Sequence, residues 1–150
     1  MTGQGTFFDN EADDAALESI NTIFWQSLVG HIDEDYGSGT AIDTMIDVGC
    51  HRGGFLHRAA GHWNCNHVFG IEPIDLARKL ATDRLESAGI PATILTPDSW
   101  NIIPKDAADL IVGQEVLYLI EDLVTFMAHI ARVLRPRRRA YFTLGCHTEN

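Results

Sequence analysis

An apolar run, an acid and a glycine-rich turn follow one another in Met45-Ile46-Asp47-Val48-Gly49-Cys50-His51-Arg52-Gly53-Gly54-Phe55-Leu56. A short hydrophobic run reads as a buried parallel strand, and glycines at its end let the chain turn tightly and approach a ligand closely. In open α/β sheets, ligands lie in the crevice at the carboxyl ends of the strands. Asp47 puts a negative charge where many nucleotide sites hold a phosphate. The expected ligand is therefore nucleotide-like, carries a positive group and lacks a pyrophosphate.

Two ligand classes compete for such a turn. A dinucleotide fingerprint needs glycines at 49, 51 and 54. Gly49 and Gly54 fit, but the middle position is His51, whose side chain would obstruct a pyrophosphate that Asp47 would also repel. S-adenosylmethionine meets neither objection, since it has no phosphate and both its ammonium and its sulfonium are cationic. A nicotinamide-dependent oxidoreductase is the enzyme alternative, and a binding module without catalysis is the non-enzyme one. Glu72 lies 19 residues after Gly53, the spacing at which an acid reaches a nucleotide ribose.

Four segments in fixed order resemble the class I S-adenosylmethionine-dependent methyltransferases, specifically the group acting on small molecules. They are Ile46-Asp47-Val48-Gly49-Cys50-His51-Arg52-Gly53, Phe69-Gly70-Ile71-Glu72-Pro73, Asp109-Leu110-Ile111-Val112-Gly113-Gln114-Glu115-Val116-Leu117 and Ala131-Arg132-Val133-Leu134-Arg135-Pro136. The resemblance implies that Asp47, Gly49, Cys50 and Gly53 surround the methionine portion of the cofactor. It implies that Glu72 binds the ribose, with Pro73 beside it and Ile74 on the adenine. Asp98 would approach the adenine amino group beside Ser99, and Gln114 would border the methionine end and the substrate entrance. Three departures stand out. His51 replaces a usual glycine, Leu119 stands where many relatives have a histidine base, and Arg137-Arg138 replaces a glycine pair before strand five. No catalytic residue is assigned.

The elements that position these residues follow from periodicity. Strands are expected at Thr44–Val48, His67–Ile71, Ala92–Leu95, Asp109–Val112 and Ala140–Leu144. Helices are expected at Gly54–Ala60, at Asp75–Ala88 and at about Glu121–Leu134. The last has Leu123, Phe126, Met127, Ile130 and Leu134 on one stripe and ends before Pro136. Alternation of strands and helices indicates a doubly wound, Rossmann-like α/β domain, with a mostly parallel sheet covered by helices on both faces. Residues 1–40 form an N-terminal helix and linker: a polar leader to residue 10, a helix with Leu17, Ile20, Phe24 and Leu28 on one face, and a polar linker from His31 to Thr40. Residues 41–150 form the S-adenosylmethionine-binding domain. The resemblance implies two more strands and a helix after strand five, so the expectation is a truncated domain with missing C-terminal strands. A homo-oligomer through the bare strand-five edge follows.

Composition narrows the remaining classes. The 150 residues carry a net charge of −10, which disfavours general nucleic-acid binding. Arg132, Arg135, Arg137, Arg138 and Arg139 form a local basic cluster, read as a solvated turn beside a helix C-terminus. No run approaches the length of a membrane span and no secretory signal is visible. Three cysteines (50, 65 and 146) are read as free thiols in a reducing, cytoplasmic compartment. His62-x-x-Cys65-x-His67 matches no paired metal-ligand spacing, so no metal is expected. Trp25, Trp63 and Trp100 read as core or rim aromatics, and His147, after Cys146, as a candidate base.

Overall fold

A computed structural model describes residues 11–145, with the side chains of residues 11–15 left aside. The expected leader and the candidate base His147 lie outside these residues. The chain divides into two units, up to residue 40 and from residue 41 onward. In the first, helix α1 runs from Glu11 to Tyr36, so the segment expected to be a linker from His31 is helical for another turn and a half. Gly37 ends it with φ +69, and its amide donates to the Asp33 carbonyl at 3.0 Å. That left-handed terminus is the stop signal, and the acids before it are compatible with helix. Leu17, Ile20 and Phe24 of α1 are exposed.

The second unit is built on five parallel strands: β1 (Thr44–Val48), β2 (His67–Ile71), β3 (Ala92–Leu95), β4 (Ala108–Gln114) and β5 (Leu134–Thr143), in the order β3-β2-β1-β4-β5. Chain order reverses direction between β1 and β4, which creates a switch-point crevice at their carboxyl ends. Alternation along the strands decides what each face meets. Ile46, Val48, Ile71 and Ile111 cluster with Phe126, Ile130 and Val133 of α4 (Leu123–Val133). The opposite face carries Met45, Val68, Leu110 and Val112, all buried. On that face the turn leading into α2 (Gly54–Trp63) lies so close that a Cβ on Gly70 would meet the Cys50 Sγ at 2.6 Å. Helix α3 (Asp75–Ser87) packs beside α2, where a Cβ on Gly53 would come within 3.2 Å of Ala81.

Several expectations need correction. The apolar stripe on α4 is narrower than its sequence suggests: only Phe126, Ile130 and Val133 are buried, and Leu123 and Met127 are exposed. The helix begins where Asp122 accepts from the Thr125 amide at 3.0 Å, and bonding to Thr125 holds the Asp122 carboxyl below the usual range. It ends at Val133, and β5 starts directly at Leu134 instead of at Ala140. Between Ala108 and Leu110 of β4 the partner strand advances from Leu134 to Arg139, so the arginine-rich stretch is a bulge. Arg137 occupies its left-handed position at φ 66, where relatives were expected to have glycine.

The basic cluster is accordingly more than a solvated turn. Arg135 Nη1 reaches Asp109 Oδ1 at 2.8 Å, and Arg138 Nε lies 3.4 Å from the same oxygen. Arg132 donates to the Trp100 carbonyl at 2.7 Å. Trp100 is a core residue, stacked on His129 and edge-on to Phe126.

Candidate functional site

The crevice is shaped by what its strands omit. Gly49 leaves β1 with φ +75, and a Cβ there would lie 2.6 Å from Val116 Cγ1. Gly70 and Gly113, in the strands on either side of β1, are equally confined, by Cys50 and Ile94 and by Phe142 and Val116 respectively. A lone glycine inside a strand signals such close approach, and both were readable on that ground. Gly53 then caps α2 at φ +79.

Asp47 stands opposite Gly70 of β2 and Val112 of β4, and is only 2% exposed. The turn amides that could have satisfied it go elsewhere. Gly49 and Cys50 donate to the Ile71 carbonyl at 2.7 and 3.2 Å, and Gly53 donates to the Cys50 carbonyl. The His51 amide donates to Glu72 Oε1 at 3.0 Å. Burial, and then the Glu72 charge, push the Asp47 carboxyl well above its ordinary range. An acid held this way gains most from a cationic partner.

Glu72 follows β2 and is 1% exposed. Its Oε1 takes the His51 amide and its Oε2 takes the Ile74 amide at 3.1 Å, so the carboxylate ties the first glycine turn to the start of α3. Arg78 fixes the same loop, donating from Nη1 to the carbonyls of Glu72 and Pro73, both at 2.8 Å, and pairing with Asp75. His51 is left-handed at φ 50, and its Nδ1 lies 3.4 Å from Glu72 Oε1. The ring thus turns toward the carboxylate, a contact that spacing alone did not reveal.

The other expected residues divide. Ile74 is half-buried and Pro73 exposed at the lip of this loop. The Cys50 thiol is buried beside Gly70, and burial raises its pKa, with the Asp47 and Glu72 charges adding to the effect. Asp98 is exposed in the loop after β3, where the Ser99 amide donates to the Thr96 carbonyl at 3.0 Å. Gln114 ends β4 opposite Thr143. After it comes Glu115, left-handed at φ 56, with its amide on the Thr143 carbonyl. Leu119 is exposed in a 3-10 turn at Leu117–Leu119.

Burial first, then the charges of Asp43 and Asp109, raise the Cys65 thiol to about 12, and burial lowers the pKa of His67, whose Nε2 sits 2.9 Å from Thr93 Oγ1. Among the described residues no three His, Cys, Asp or Glu side chains group as a metal site, and no helix is long and apolar enough to cross a membrane. Cys50 and Cys65 are free thiols.

Comparison with known proteins points the same way as the geometry. A family described as "Methyltransferase domain" matches residues 45–137, the stretch from β1 into β5. No curated protein matches. Among solved structures, a candidate S-adenosyl-L-methionine-dependent methyltransferase from Methanococcus maripaludis aligns with TM-score 0.68 at 20% identity, covering 89% of this chain and 63% of that one. Geranyl diphosphate C-methyltransferase from Streptomyces coelicolor A3(2), in complex with Mg2+, geranyl diphosphate and S-adenosyl-L-homocysteine, aligns with TM-score 0.66 at 20% identity, covering 92% and 52%. A SAM-dependent methyltransferase from Aquifex aeolicus gives 0.61 at 17% identity, covering 74% and 60%. In each pairing this chain spans less than two thirds of the other protein's length. With the family match covering more than half of its residues, and with a β3-β2-β1-β4-β5 sheet under it, the chain belongs to the methyltransferase-domain family.

Proposed function

We propose that this domain binds S-adenosylmethionine and transfers its methyl group to a small-molecule acceptor. The observation that carries the reading is Asp47: a buried acid at the switch point, without bonds from the Gly49, Cys50, His51 or Gly53 amides and crowded by Glu72. A cationic ammonium relieves both the burial and the crowding, whereas a phosphate aggravates them.

In this reading Asp47 holds the methionine ammonium and Glu72 the ribose hydroxyls. Gly49 and Gly53 give the close backbone approach, while Cys50 and Pro73 set the shape of the two loops. Ile74 packs on the adenine, Asp98 and Ser99 meet its amino edge, and Gln114 borders the methionine end. The cofactor supplies a methyl group on a good sulfur leaving group. The protein's task is therefore alignment of acceptor and methyl, which is catalysis by proximity and orientation. A general base is needed only for an acceptor that must lose a proton.

Support for a small-molecule acceptor comes from the net charge of −10 and from the small substrate of the Streptomyces coelicolor enzyme. A cytoplasmic location and self-association along β5, which pairs with β4 alone among the described residues, complete the reading. Calorimetry with S-adenosylhomocysteine and, separately, NAD tests the cofactor. Binding of the first and not the second is expected, and tight NAD binding by the unmodified chain overturns the reading. Turnover with a panel of small acceptors tests the transfer step, and light scattering tests the association.

A further inference from the structure

We infer that Glu115 selects the methyl acceptor, receiving a molecule with an amine group and turning away an anionic one. The inference rests on the proposed methyl transfer and names the chemical class of its acceptor. Three neighbouring strands, β2, β1 and β4, have an acid at or just past their carboxyl ends: Glu72, Asp47 and Glu115. In the proposed reading the first two hold the ribose and the methionine ammonium, so the cofactor runs from β2 to β1. The acceptor then enters over β4 and β5, where Glu115 stands.

The backbone keeps this side chain in a place that suits glycine better. Glu115 is left-handed at φ 56, a conformation that glycine adopts freely and other residues rarely do. The turn itself uses the Glu115 amide, which donates to the Thr143 carbonyl at 3.1 Å. The next residue, Val116, is buried against Gly49 and Gly113, where added Cβ atoms would lie 2.6 and 2.9 Å from its methyl groups. Glu115 is thus held beside the β1 turn. Its carboxylate lies across the chain just after β5: a Cβ on Gly145 would come 3.2 Å from Oε1 and 3.3 Å from Oε2. The side chain is nevertheless exposed. Strained backbone of this kind gathers at ligand-binding positions.

Charge decides the class of acceptor. No lysine or arginine occurs in residues 107–131 or 140–150, so the sequence on this side of the crevice supplies Glu115 with no basic counter-charge. An ammonium gains charge attraction as well as a hydrogen bond there, an alcohol gains the hydrogen bond alone, and a carboxylate or phosphate is repelled. The ammonium docks on Glu115 and gives one proton to solvent water at the exposed mouth. The nitrogen lone pair then forms the bond to the methyl carbon as the carbon–sulfur bond breaks, and that electron pair stays on sulfur. The products are S-adenosylhomocysteine and the methylated ammonium.

The test measures transfer of labelled methyl from S-adenosylmethionine by the unmodified chain, Glu115→Gln and Glu115→Gly. The acceptors are primary amines, alcohols and carboxylates of matched carbon skeleton. Glutamine keeps the shape without the charge, and glycine keeps the turn without the side chain. The unmodified chain should methylate the amines in preference to the alcohols and leave the carboxylates untouched. Each variant should lose about tenfold in kcat/KM on the amines, mostly through KM, as expected for a lost hydrogen bond to a charged group. Affinity for S-adenosylhomocysteine, read by calorimetry, should not change. Undiminished amine transfer by Glu115→Gln overturns the inference. A preference of the unmodified chain for alcohols or carboxylates, or transfer to none of the three sets, overturns it equally, and with S-adenosylhomocysteine still bound the cofactor reading stands. Failure of the unmodified chain to bind S-adenosylhomocysteine overturns the cofactor reading, and the inference with it.

Discussion

Two acids are buried at opposite ends of adjacent central strands, and the protein treats them in opposite ways. Asp109, near the amino end of β4, is 1% exposed and has partners on both oxygens. Its Oδ2 accepts from the Asp43 and Thr44 amides at 2.9 and 3.0 Å, and its Oδ1 faces Arg135 and Arg138. Asp47, near the carboxyl end of β1, is as deeply buried, yet the Gly49, Cys50, His51 and Gly53 amides bond elsewhere and the charge that acts on it is another acid, Glu72. Burial alone therefore does not mark a ligand site. In the proposed reading, what marks it is a buried charge whose compensation is absent from the surrounding turn, in the crevice where such folds bind their ligands.

The largest expected effect breaks the satisfied end. Asp109→Ala leaves two arginines and two amides without their acceptor, and should cost about 3–5 kcal/mol in chemical denaturation, the range for removing one partner of a buried pair. The proposed cofactor anchors at the far end of the sheet should keep their arrangement in the fraction that folds. Next is Glu72→Ala, which should weaken S-adenosylhomocysteine by about 1.5–3 kcal/mol in calorimetry, the range for hydrogen bonds to a charged group. An unchanged affinity in the folded variant removes Glu72 from the site.

Asp47→Asn sharpens the comparison through its sign. The folded protein holds the Asp47 proton more tightly than the unfolded chain does, so this group favours folding at low pH, and that advantage disappears as pH rises through its folded pKa. Replacement by asparagine should raise the stability of the ligand-free protein at neutral pH while lowering affinity for S-adenosylhomocysteine. Denaturation at pH 5 and pH 8 reads the first effect; a variant less stable than the parent at pH 8 contradicts the assignment. The smallest effect belongs to the amino end: Arg137→Gly relieves a left-handed residue at φ 66 and should gain about 1 kcal/mol. A melting temperature that does not rise places the strain elsewhere.

The parts of the fold legible in the sequence were those whose burial leaves a local pattern. β1, β2 and β3 fall at Thr44–Val48, His67–Ile71 and Ala92–Leu95, as their apolar runs suggested, because strands buried on both faces need continuous hydrophobic sequence. Asp47, Glu72 and the glycines between them were visible for the same reason: a turn ending a buried strand has few alternatives. What stayed hidden depends on distant partners. Arg135 and Arg138 looked like solvated charges because Asp109 is 26 and 29 residues away. β5 could not be started at Leu134 from a run of arginines that read as a turn. Leu123 and Met127 fit a helical stripe, but a stripe gives spacing and not width. The ring of His51 meets Glu72 from a left-handed backbone position, which a sequence does not display.

The central claim is that Asp47 is kept without internal compensation for a cationic ligand. The most direct test is calorimetric titration of S-adenosylhomocysteine into the 150-residue chain and its Asp47→Asn variant at pH 7.5. The account predicts binding by the parent and at least tenfold weaker binding by the variant, about the 1.4 kcal/mol end of the range for a hydrogen bond to a charged group. Equal affinity for the two proteins, with both folded, would contradict it.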